Sequence, residues 1–206
     1  MRRILLVISS PRGAASYSTK VARSLVDKLK ADDPGAVVAV RDLAREPLAP
    51  IGEDFVTGMM LPAEQRSAPQ QAAMALSETL VQELLDADIV VLAAAMINFG
   101  LPATLKTWFD HVVRAGLTFR YTEKGAEGLA TGKKVYIVEA RGGVYSDGPM
   151  RANDFQEPYL KALLSFMGMA DIEVVAVEGV AFGPEVADKA LTAAFSRIST
   201  MTAKAA

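Results

Sequence analysis

The chain has 206 residues, a net charge of −2, one histidine and no cysteine. Its hydrophobic fraction of 51% supports a sizeable core and excludes intrinsic disorder, which requires low hydrophobicity and high net charge. The missing cysteines exclude disulfides, thiolate catalysis and cysteine-ligated metal sites, and His111 alone cannot form a multi-histidine metal site. A length near 200 residues predicts a single domain over 1–206.

Charge and hydropathy also limit the partners that we expect. Lys and Arg form no long run, so nothing in the sequence favours nucleic acid. The first apolar run, at 4–8, is too short for a signal peptide or a membrane span. We therefore expect a cytoplasmic protein with no metal, nucleic-acid or membrane partner.

Five apolar runs indicate strands, and segments with helical spacing separate them. The predicted strands are 4–8, 36–40, 89–94, 133–138 and 172–177, and the predicted helices are 17–30, 70–87, 103–114, 155–167 and a last one from 183 toward 206. Continuous apolar runs are typical of strands buried on both faces of a parallel sheet. Such alternation predicts an α/β doubly wound sheet with helices on both faces. With a ligand loop after the first strand, the flavodoxin-like order 2-1-3-4-5 is favoured.

The stretch 42–69 is the least regular because prolines and glycines interrupt it. A loop this long in a compact domain is usually functional or carries short helices. Its apolar residues could form one face, which would either cap the domain's own surface or contact a second subunit. These residues are Phe55, Val56, Met59, Met60 and Leu61.

The loop after the first strand is rich in hydroxyl groups and opens directly into a helix. It carries Ser10, Ser16 and Ser18 within nine residues. Free N–H groups at a helix N-terminus, with the helix dipole, attract anions. Any one of these serines could instead be an ordinary helix cap. Three hydroxyls at the end of a buried strand favour a phosphate monoester.

The motifs that this loop lacks narrow the ligand. Neither the dinucleotide pattern G-x-G-x-x-G nor the Walker A pattern follows the first strand, which argues against a Rossmann dehydrogenase and a nucleoside triphosphatase. A receiver domain would need an acidic cluster there, where Ser-Ser-Pro-Arg stands instead. A mononucleotide with a terminal phosphate remains, and FMN fits best.

Two further loops would flank the flavin ring. After the third strand, Met96 and Phe99 could pack against the ring, and Asn98 offers a donor and an acceptor to a pyrimidine-type edge. After the fourth strand, Gly142 and Gly143 let the backbone approach a ligand closely, so that N–H groups could donate to ring N1 or O2. Taken one at a time, these residues could equally be core and turn residues.

The sequence resembles the FMN-dependent NADH:azoreductases, which are also NAD(P)H:quinone oxidoreductases of the flavodoxin-like superfamily. The resemblance covers nearly the whole chain, and the run 114–123 is its most specific part. The segments that carry it are 9–10 with 16–18, 40–44, 96–99, 105–110, 114–123, 128–134, 141–143, 178–179 and 183–185.

The resemblance implies a set of site residues. Ser10, Ser16, Tyr17 and Ser18 would surround the FMN phosphate, whereas Met96, Ile97, Asn98, Phe99, Ala140, Arg141, Gly142 and Gly143 would line the isoalloxazine. Tyr121 and Phe166 are candidate aromatic walls of the acceptor pocket, although a core or interface role is an equal alternative. The family forms homodimers with the sites at the interface, which would use the apolar 55–61 stretch.

The implied activity is ping-pong, two-electron hydride transfer. NADH or NADPH would reduce prosthetic FMN, and a quinone or azo compound would then be reduced. The cofactor carries this chemistry, so no catalytic side chain is expected, and the backbone of Gly142 and Gly143 supplies electrostatic support. Two alternatives remain open: an FMN-binding signalling protein with little turnover, and a flavin reductase that uses FMN as substrate, since Ser10-x-Arg12 with Ser16 and Ser18 also resembles that group.

The chain departs from the family pattern at four positions. Ile97 stands where tyrosine is frequent, Ala95 where proline is frequent, and Glu139 with Ala140 replaces a hydroxyl-bearing pair. A carboxylate beside the flavin would repel the anionic hydroquinone. We therefore expect a lowered flavin potential if Glu139 faces the ring.

Overall fold

A computed structural model describes residues 1–201. Its strands are β1 (Arg3–Ile8), β2 (Val37–Asp42), β3 (Ile89–Ala95), β4 (Phe119–Thr122), β5 (Gly125–Gly128), β6 (Lys134–Ala140) and β7 (Asp171–Val177). Five of them form a parallel sheet in the order β2-β1-β3-β6-β7. The predicted five-stranded sheet and its order 2-1-3-4-5 are therefore confirmed.

Helices cover both faces of this sheet. They are α1 (Tyr17–Asp32), α2 (Glu53–Met59), α3 (Ala68–Asp86), α4 (Ala103–Val112), α5 (Glu157–Phe166) and α6 (Pro184–Thr200). One core joins the sheet to α3, α4 and α5, with Trp108 at its centre. The other joins it to α1 and α6, where Val21, Leu25 and Leu29 recur at helical spacing. Burial on both faces explains why the central strands are continuously apolar.

The predicted end of the last helix lies partly beyond what can be described. Helix α6 begins after Gly183, as the Gly-Pro pair predicts, and reaches Thr200. The predicted continuation through 202–206 lies outside the described residues. Within residues 1–201, no helix is both long enough and apolar enough to cross a membrane.

The irregular stretch 42–69 carries one short α-helix, α2, and a 3₁₀ turn at Ala63–Gln65. Phe55 is buried, with its ring 5.3 Å from that of His111 and 5.4 Å from the guanidinium carbon of Arg114. Met59 and Met60 remain 44% and 77% exposed. Phe55 therefore follows the first alternative, a cap on the domain's own surface, whereas a subunit contact through the methionines stays a prediction.

Two local differences from the sequence prediction have clear causes. The segment 119–128 forms an antiparallel hairpin of β4 and β5. The sequence did not predict these strands, because glycines are rare within strands. A Cβ on Gly128 would lie 2.1 Å from the nitrogen of Gly168, so only glycine lets the hairpin pack there. Strand β6 extends to Ala140 rather than ending at Val138, because Glu139 is buried with a cationic partner instead of ending the strand.

Candidate active site

The carboxyl ends of β1, β3, β6 and β7 meet around a cleft of about 270 Å³. Ligands of open α/β sheets bind at this edge. The lining residues are Ser10, Pro11, Arg12, Ser16, Tyr17, Ala95, Met96, Ile97, Ala140, Gly142, Val180 and Ala181. The structure thus brings together seven of the predicted cofactor residues: Ser10, Ser16, Tyr17, Met96, Ile97, Ala140 and Gly142.

One wall is the start of α1, where helix capping leaves two donors free. Ser16 is the N-cap, and its Oγ accepts a hydrogen bond from the Thr19 amide at 3.2 Å. Within residues 1–201, the amides of Tyr17 and Ser18 have no protein acceptor, as expected for a first helical turn. The Oγ atoms of Ser16 and Ser18 lie 3.2 Å apart. Capping and anion binding are therefore compatible, since the cap occupies one amide and leaves its neighbours available.

Ser10 and Arg12 add polar groups to the same wall. Ser10 is buried, and its Oγ accepts a long hydrogen bond from the Arg12 amide at 3.4 Å. The Arg12 guanidinium carbon lies 5.2 Å from the centroid of the Tyr17 ring. No carboxylate within residues 1–201 pairs with Arg12. Arg12, which the sequence placed only in the pattern resembling flavin reductases, is the only charged residue in the loop 9–16.

The opposite wall is a tight turn after β3. The amides and carbonyls of Ile97 and Gly100 exchange two hydrogen bonds of 3.0 Å, while Asn98 and Phe99 have φ angles of 47° and 68°. Two central residues with positive φ define a type I′ turn. Asn tolerates this conformation, but for Phe it costs about 1–2 kcal/mol.

Contacts with a neighbouring loop hold the strained turn in place. The Phe99 carbonyl accepts a hydrogen bond from the Phe155 amide at 3.0 Å, and the Phe99 ring meets Tyr145 edge-on at 6.2 Å. The Asn98 side chain is exposed and has no partner among residues 1–201. The turn places Ile97 in the cleft lining and leaves Asn98 and Phe99 beside it rather than in it.

The third wall follows β6, where alternate residues face opposite sides. Ala140 and Gly142 line the cleft. The Arg141 amide donates to the Val177 carbonyl at 2.9 Å, and the Arg141 side chain is completely buried away from the cleft. The predicted contribution of Arg141 to the ring wall is therefore not made by its side chain. Within residues 1–201, the amides of Gly142 and Gly143 have no protein acceptor.

Gly143 lines an adjoining cleft of about 590 Å³ rather than the first one. This second cleft is formed by the loop 143–150 and by Phe182, which is 65% exposed. The loop after β6 therefore separates two clefts, and its position shapes both.

Behind this loop, Arg141 is surrounded by carboxylates. Its guanidinium contacts Glu139 directly, and it lies 3.0 Å from Asp154, 3.1 Å from Glu178 and 3.5 Å from Glu157. Arg141 and Glu139 both have fully buried side chains. One cation among so many acids leaves an excess of negative charge inside the protein.

Burial in this cluster raises the pKa of Glu139. Burial has the largest effect, the positive charge of Arg141 opposes it, and the neighbouring carboxylates add to it, so that the pKa reaches about 8. Within residues 1–201, Glu139 Oε1 has no hydrogen-bond partner, which fits a neutral carboxyl. The condition for a lowered flavin potential, Glu139 facing the ring, is not met: its side chain is fully buried against Arg141 and does not line the cleft.

The predicted acceptor residues both lie near Phe119 and away from this cleft. Tyr121 is 76% exposed on β4, and its ring lies 5.4 Å from that of Phe119. The centroid of the Phe166 ring lies 4.6 Å from that of Phe119. Neither Tyr121 nor Phe166 lines the 270 Å³ cleft, so their acceptor role stays a prediction.

Sequence reasoning missed four further lining residues: Pro11, Ala95, Val180 and Ala181. Val180 and Ala181 follow the predicted fifth strand and its Gly179. The rule that carboxyl ends of parallel strands share an edge would have included them. Their loop is joined to the loop after β6 by hydrogen bonds from the Val180 amide to the Arg141 carbonyl and from the Ala181 amide to the Gly142 carbonyl.

Comparison with known proteins identifies the family of the chain. A family model described as a flavodoxin-like fold matches residues 2–201. The chain belongs to this flavodoxin-like family. A relative from Rhizobium johnstonii, named FMN-dependent NADH:quinone oxidoreductase, is 53% identical over 198 residues, which cover 96% of this chain and 97% of the relative. A protein of the same name from Agrobacterium fabrum is 49% identical over 201 residues, 98% of each chain.

A flavodoxin-like relative of known structure has the same architecture. The crystal structure of an azoreductase from Bacillus anthracis matches with a TM-score of 0.90 and 31% identity, covering 97% of each chain. The fold and the near-complete coverage agree with the family resemblance carried by the sequence motifs.

Proposed function

We propose that this protein is an FMN-dependent oxidoreductase that transfers electrons from NADH or NADPH to quinones and azo compounds. The observation that carries the proposal is 53% identity over 96% of the chain to a relative named FMN-dependent NADH:quinone oxidoreductase. The similarity to an azoreductase structure at 31% identity supports azo compounds as acceptors. These names do not favour the signalling protein or the flavin reductase.

The residues at the start of α1 fit the phosphate of FMN. The free amides of Tyr17 and Ser18 and the hydroxyls of Ser10, Ser16 and Ser18 supply neutral donors. Arg12, which contacts the Tyr17 ring and has no carboxylate partner within residues 1–201, supplies a positive charge. Donors at a helix N-terminus together with a cation satisfy a phosphate dianion.

The other two walls fit a flat ring with a polar edge. Met96 and Ile97 provide apolar contact, and the Asn98 side chain lies beside the cleft. Within residues 1–201, neither this side chain nor the amides of Gly142 and Gly143 have a protein partner. FMN bound there supplies two-electron hydride chemistry in a ping-pong cycle. The protein's share is to hold the ring and to direct the glycine amides at the edge where negative charge develops.

We further propose that the enzyme is a homodimer with its sites at the interface. Val56, Met59 and Met60 are 40%, 44% and 77% exposed on and after α2, as a subunit contact requires. Exposed aromatic Tyr121 would contribute to an acceptor pocket only if a second copy covered it. A single domain and a cytoplasmic location stay predictions.

The absorbance spectrum of the purified protein, with gel filtration and NADH turnover, tests the proposal. We expect a yellow protein that keeps flavin through gel filtration, elutes as a dimer and oxidises NADH with benzoquinone. Robust turnover would exclude the signalling alternative. Flavin that dissociates during filtration yet is reduced by NADH would favour the flavin reductase. A colourless protein that takes up no FMN would overturn the proposal.

A further inference from the structure

Glu178, which follows β7, binds the loop after β6 at several points. Its Oε1 accepts hydrogen bonds from the amides of Tyr145 at 2.8 Å and Ser146 at 3.0 Å, and its Oε2 accepts one from the Ser146 hydroxyl. Burial would raise the pKa of Glu178, but the hydrogen bonds from Ser146, Tyr145 and Arg141 hold it below its usual range. One carboxylate therefore binds two consecutive backbone amides and two side chains, those of Ser146 and Arg141.

Arg141 connects Glu178 to the start of α5. Its Nη1 donates to Glu178 at 3.1 Å, and its Nη2 lies 3.0 Å from Asp154. Asp154 in turn accepts hydrogen bonds from the amides of Gln156 at 3.0 Å and Glu157 at 3.1 Å. The loop after β6, the loop after β7 and the beginning of α5 are thus held by one buried ionic cluster.

Backbone hydrogen bonds fix the orientation of the glycine peptides. The carbonyls of Arg141, Gly142 and Gly143 accept from the amides of Val180 at 3.2 Å, Ala181 at 3.0 Å and Gly179 at 2.9 Å. In a trans peptide the N–H points opposite to the C=O. The amides of Gly142 and Gly143 therefore point away from the loop 179–182, and in the described part of the chain, 1–201, they have no acceptor.

We propose that Glu178, with Arg141 behind it, is a positioning residue that holds the loop 142–146 so that the amides of Gly142 and Gly143 are presented to bound flavin. The proposal rests on the function proposed above. Glu178 does not line the cleft and acts through the loop alone. It fixes the wall between the two clefts, and this explains why a partly buried acid stands beside so many others.

Three Glu178 variants and one matched control test the proposal. Glu178→Ala removes the acceptor. Glu178→Gln keeps one oxygen for the amides of Tyr145 and Ser146. Glu178→Asp shortens the side chain by one methylene group and so moves the carboxylate away from the amides of Tyr145 and Ser146. This variant replaces Glu178→Ala in the test if the alanine variant does not fold. Glu173→Ala is the control, because Glu173 lies in β7 and forms only surface ion pairs with Lys134 and Arg197.

Amide hydrogen exchange at Tyr145 and Ser146 is measured without FMN, and the FMN dissociation constant and the two-electron potential are measured with it. In Glu178→Ala we expect about tenfold faster exchange and about tenfold weaker FMN binding, as the loss of charge-assisted hydrogen bonds implies. If reduced flavin is weakened about tenfold more than oxidised flavin, the potential falls by about 30 mV. Glu178→Gln should recover most of each effect, and Glu173→Ala should match wild type.

The outcomes separate this inference from the proposed function. If wild type binds FMN and Glu178→Ala equals it in exchange and affinity, the positioning role is refuted. Loss in Glu178→Gln as large as in Glu178→Ala would also refute it, since the acceptor geometry would then not matter. If wild type takes up no FMN, the proposed function fails, whereas the exchange rates still report on the loop.

Discussion

Replacing Glu139 by glutamine should remove a pH dependence of stability that wild type shows above neutrality. Burial keeps the pKa of Glu139 at about 8 in the folded protein, whereas the ordinary pKa of a glutamate, 4.5, applies in the unfolded chain. Between these two values the folded chain retains a proton that the unfolded chain has lost. Stability therefore falls as the pH rises from about 4.5 to about 8, and it levels off above.

The size of the effect follows from the same pKa. Raising the pH from 7 to 9 takes Glu139 from mostly protonated to mostly ionised, which costs the folded state about 1 kcal/mol. For a chain of this length that lowers Tm by roughly 2–4 °C. Glu139→Gln cannot ionise, so its Tm should fall less than that of wild type by this amount, while Glu173→Gln should follow wild type.

Thermal unfolding followed by circular dichroism at saturating FMN measures this difference. Other groups that titrate between pH 7 and 9 affect both proteins and cancel in the comparison. Parallel Tm curves for wild type and Glu139→Gln would show that Glu139 is already ionised at pH 7. Burial and the neighbouring carboxylates would then not be sufficient to keep Glu139 protonated beside Arg141.

Three further predictions concern the cleft itself. Arg12→Ala should weaken FMN binding about tenfold, which corresponds to the loss of one charge-assisted hydrogen bond to phosphate. FMN binding by this variant should also depend less on salt concentration. Fluorescence titration at two salt concentrations measures both effects. Asn98→Ala should weaken FMN binding about fivefold or slow the reduction of FMN by NADH, as the loss of one hydrogen bond implies. Titration measures the affinity and stopped flow measures the rate of reduction. Unaltered values for both would count against a role of Asn98 in flavin binding. Phe99→Gly should relieve about 1–2 kcal/mol of backbone strain, and the free energy of unfolding measured in urea should therefore rise. The same variant should bind FMN less tightly than wild type. A destabilised variant would show that the contact of the Phe99 ring with Tyr145 outweighs the strain.

The sheet was predictable because its strands carry a strong and local signal. Runs such as 4–8 and 89–94 are apolar on both faces, and this pattern occurs where helices cover both sides of a sheet. The hairpin 119–128 was not predictable, because Gly128 serves a close contact with Gly168, which lies 40 positions further along the chain. The end of β6 was predicted too early because Glu139 is charged. Glu139 is buried only because Arg141 pairs with it, and Arg141 in turn is held by Asp154 and Glu178, which are distant in the sequence.

The candidate site was predictable as a set of loops rather than as a set of side chains. The loop after β1 could be read from its hydroxyls, and the turn after β3 from its position at the end of a strand. The orientation of Arg141 could not be read, because it depends on Asp154, Glu157 and Glu178, which only the fold brings together. The positive φ of Phe99 is also invisible in sequence, since Phe rarely adopts it.

The segment 139–142 shows how one strand end can serve two purposes. Successive side chains point to opposite faces of a strand, and this alternation continues here just past the end of β6. Ala140 and Gly142 face the cleft, where small residues let a ligand approach the backbone. Glu139 and Arg141 face the interior, where their charges connect the strand to α5 and to the loop after β7. A shift of one residue would bring a carboxylate and a guanidinium into the cleft and remove the ionic cluster. The register of β6 therefore determines both the chemistry of the cleft wall and the rigidity of the loop that completes it.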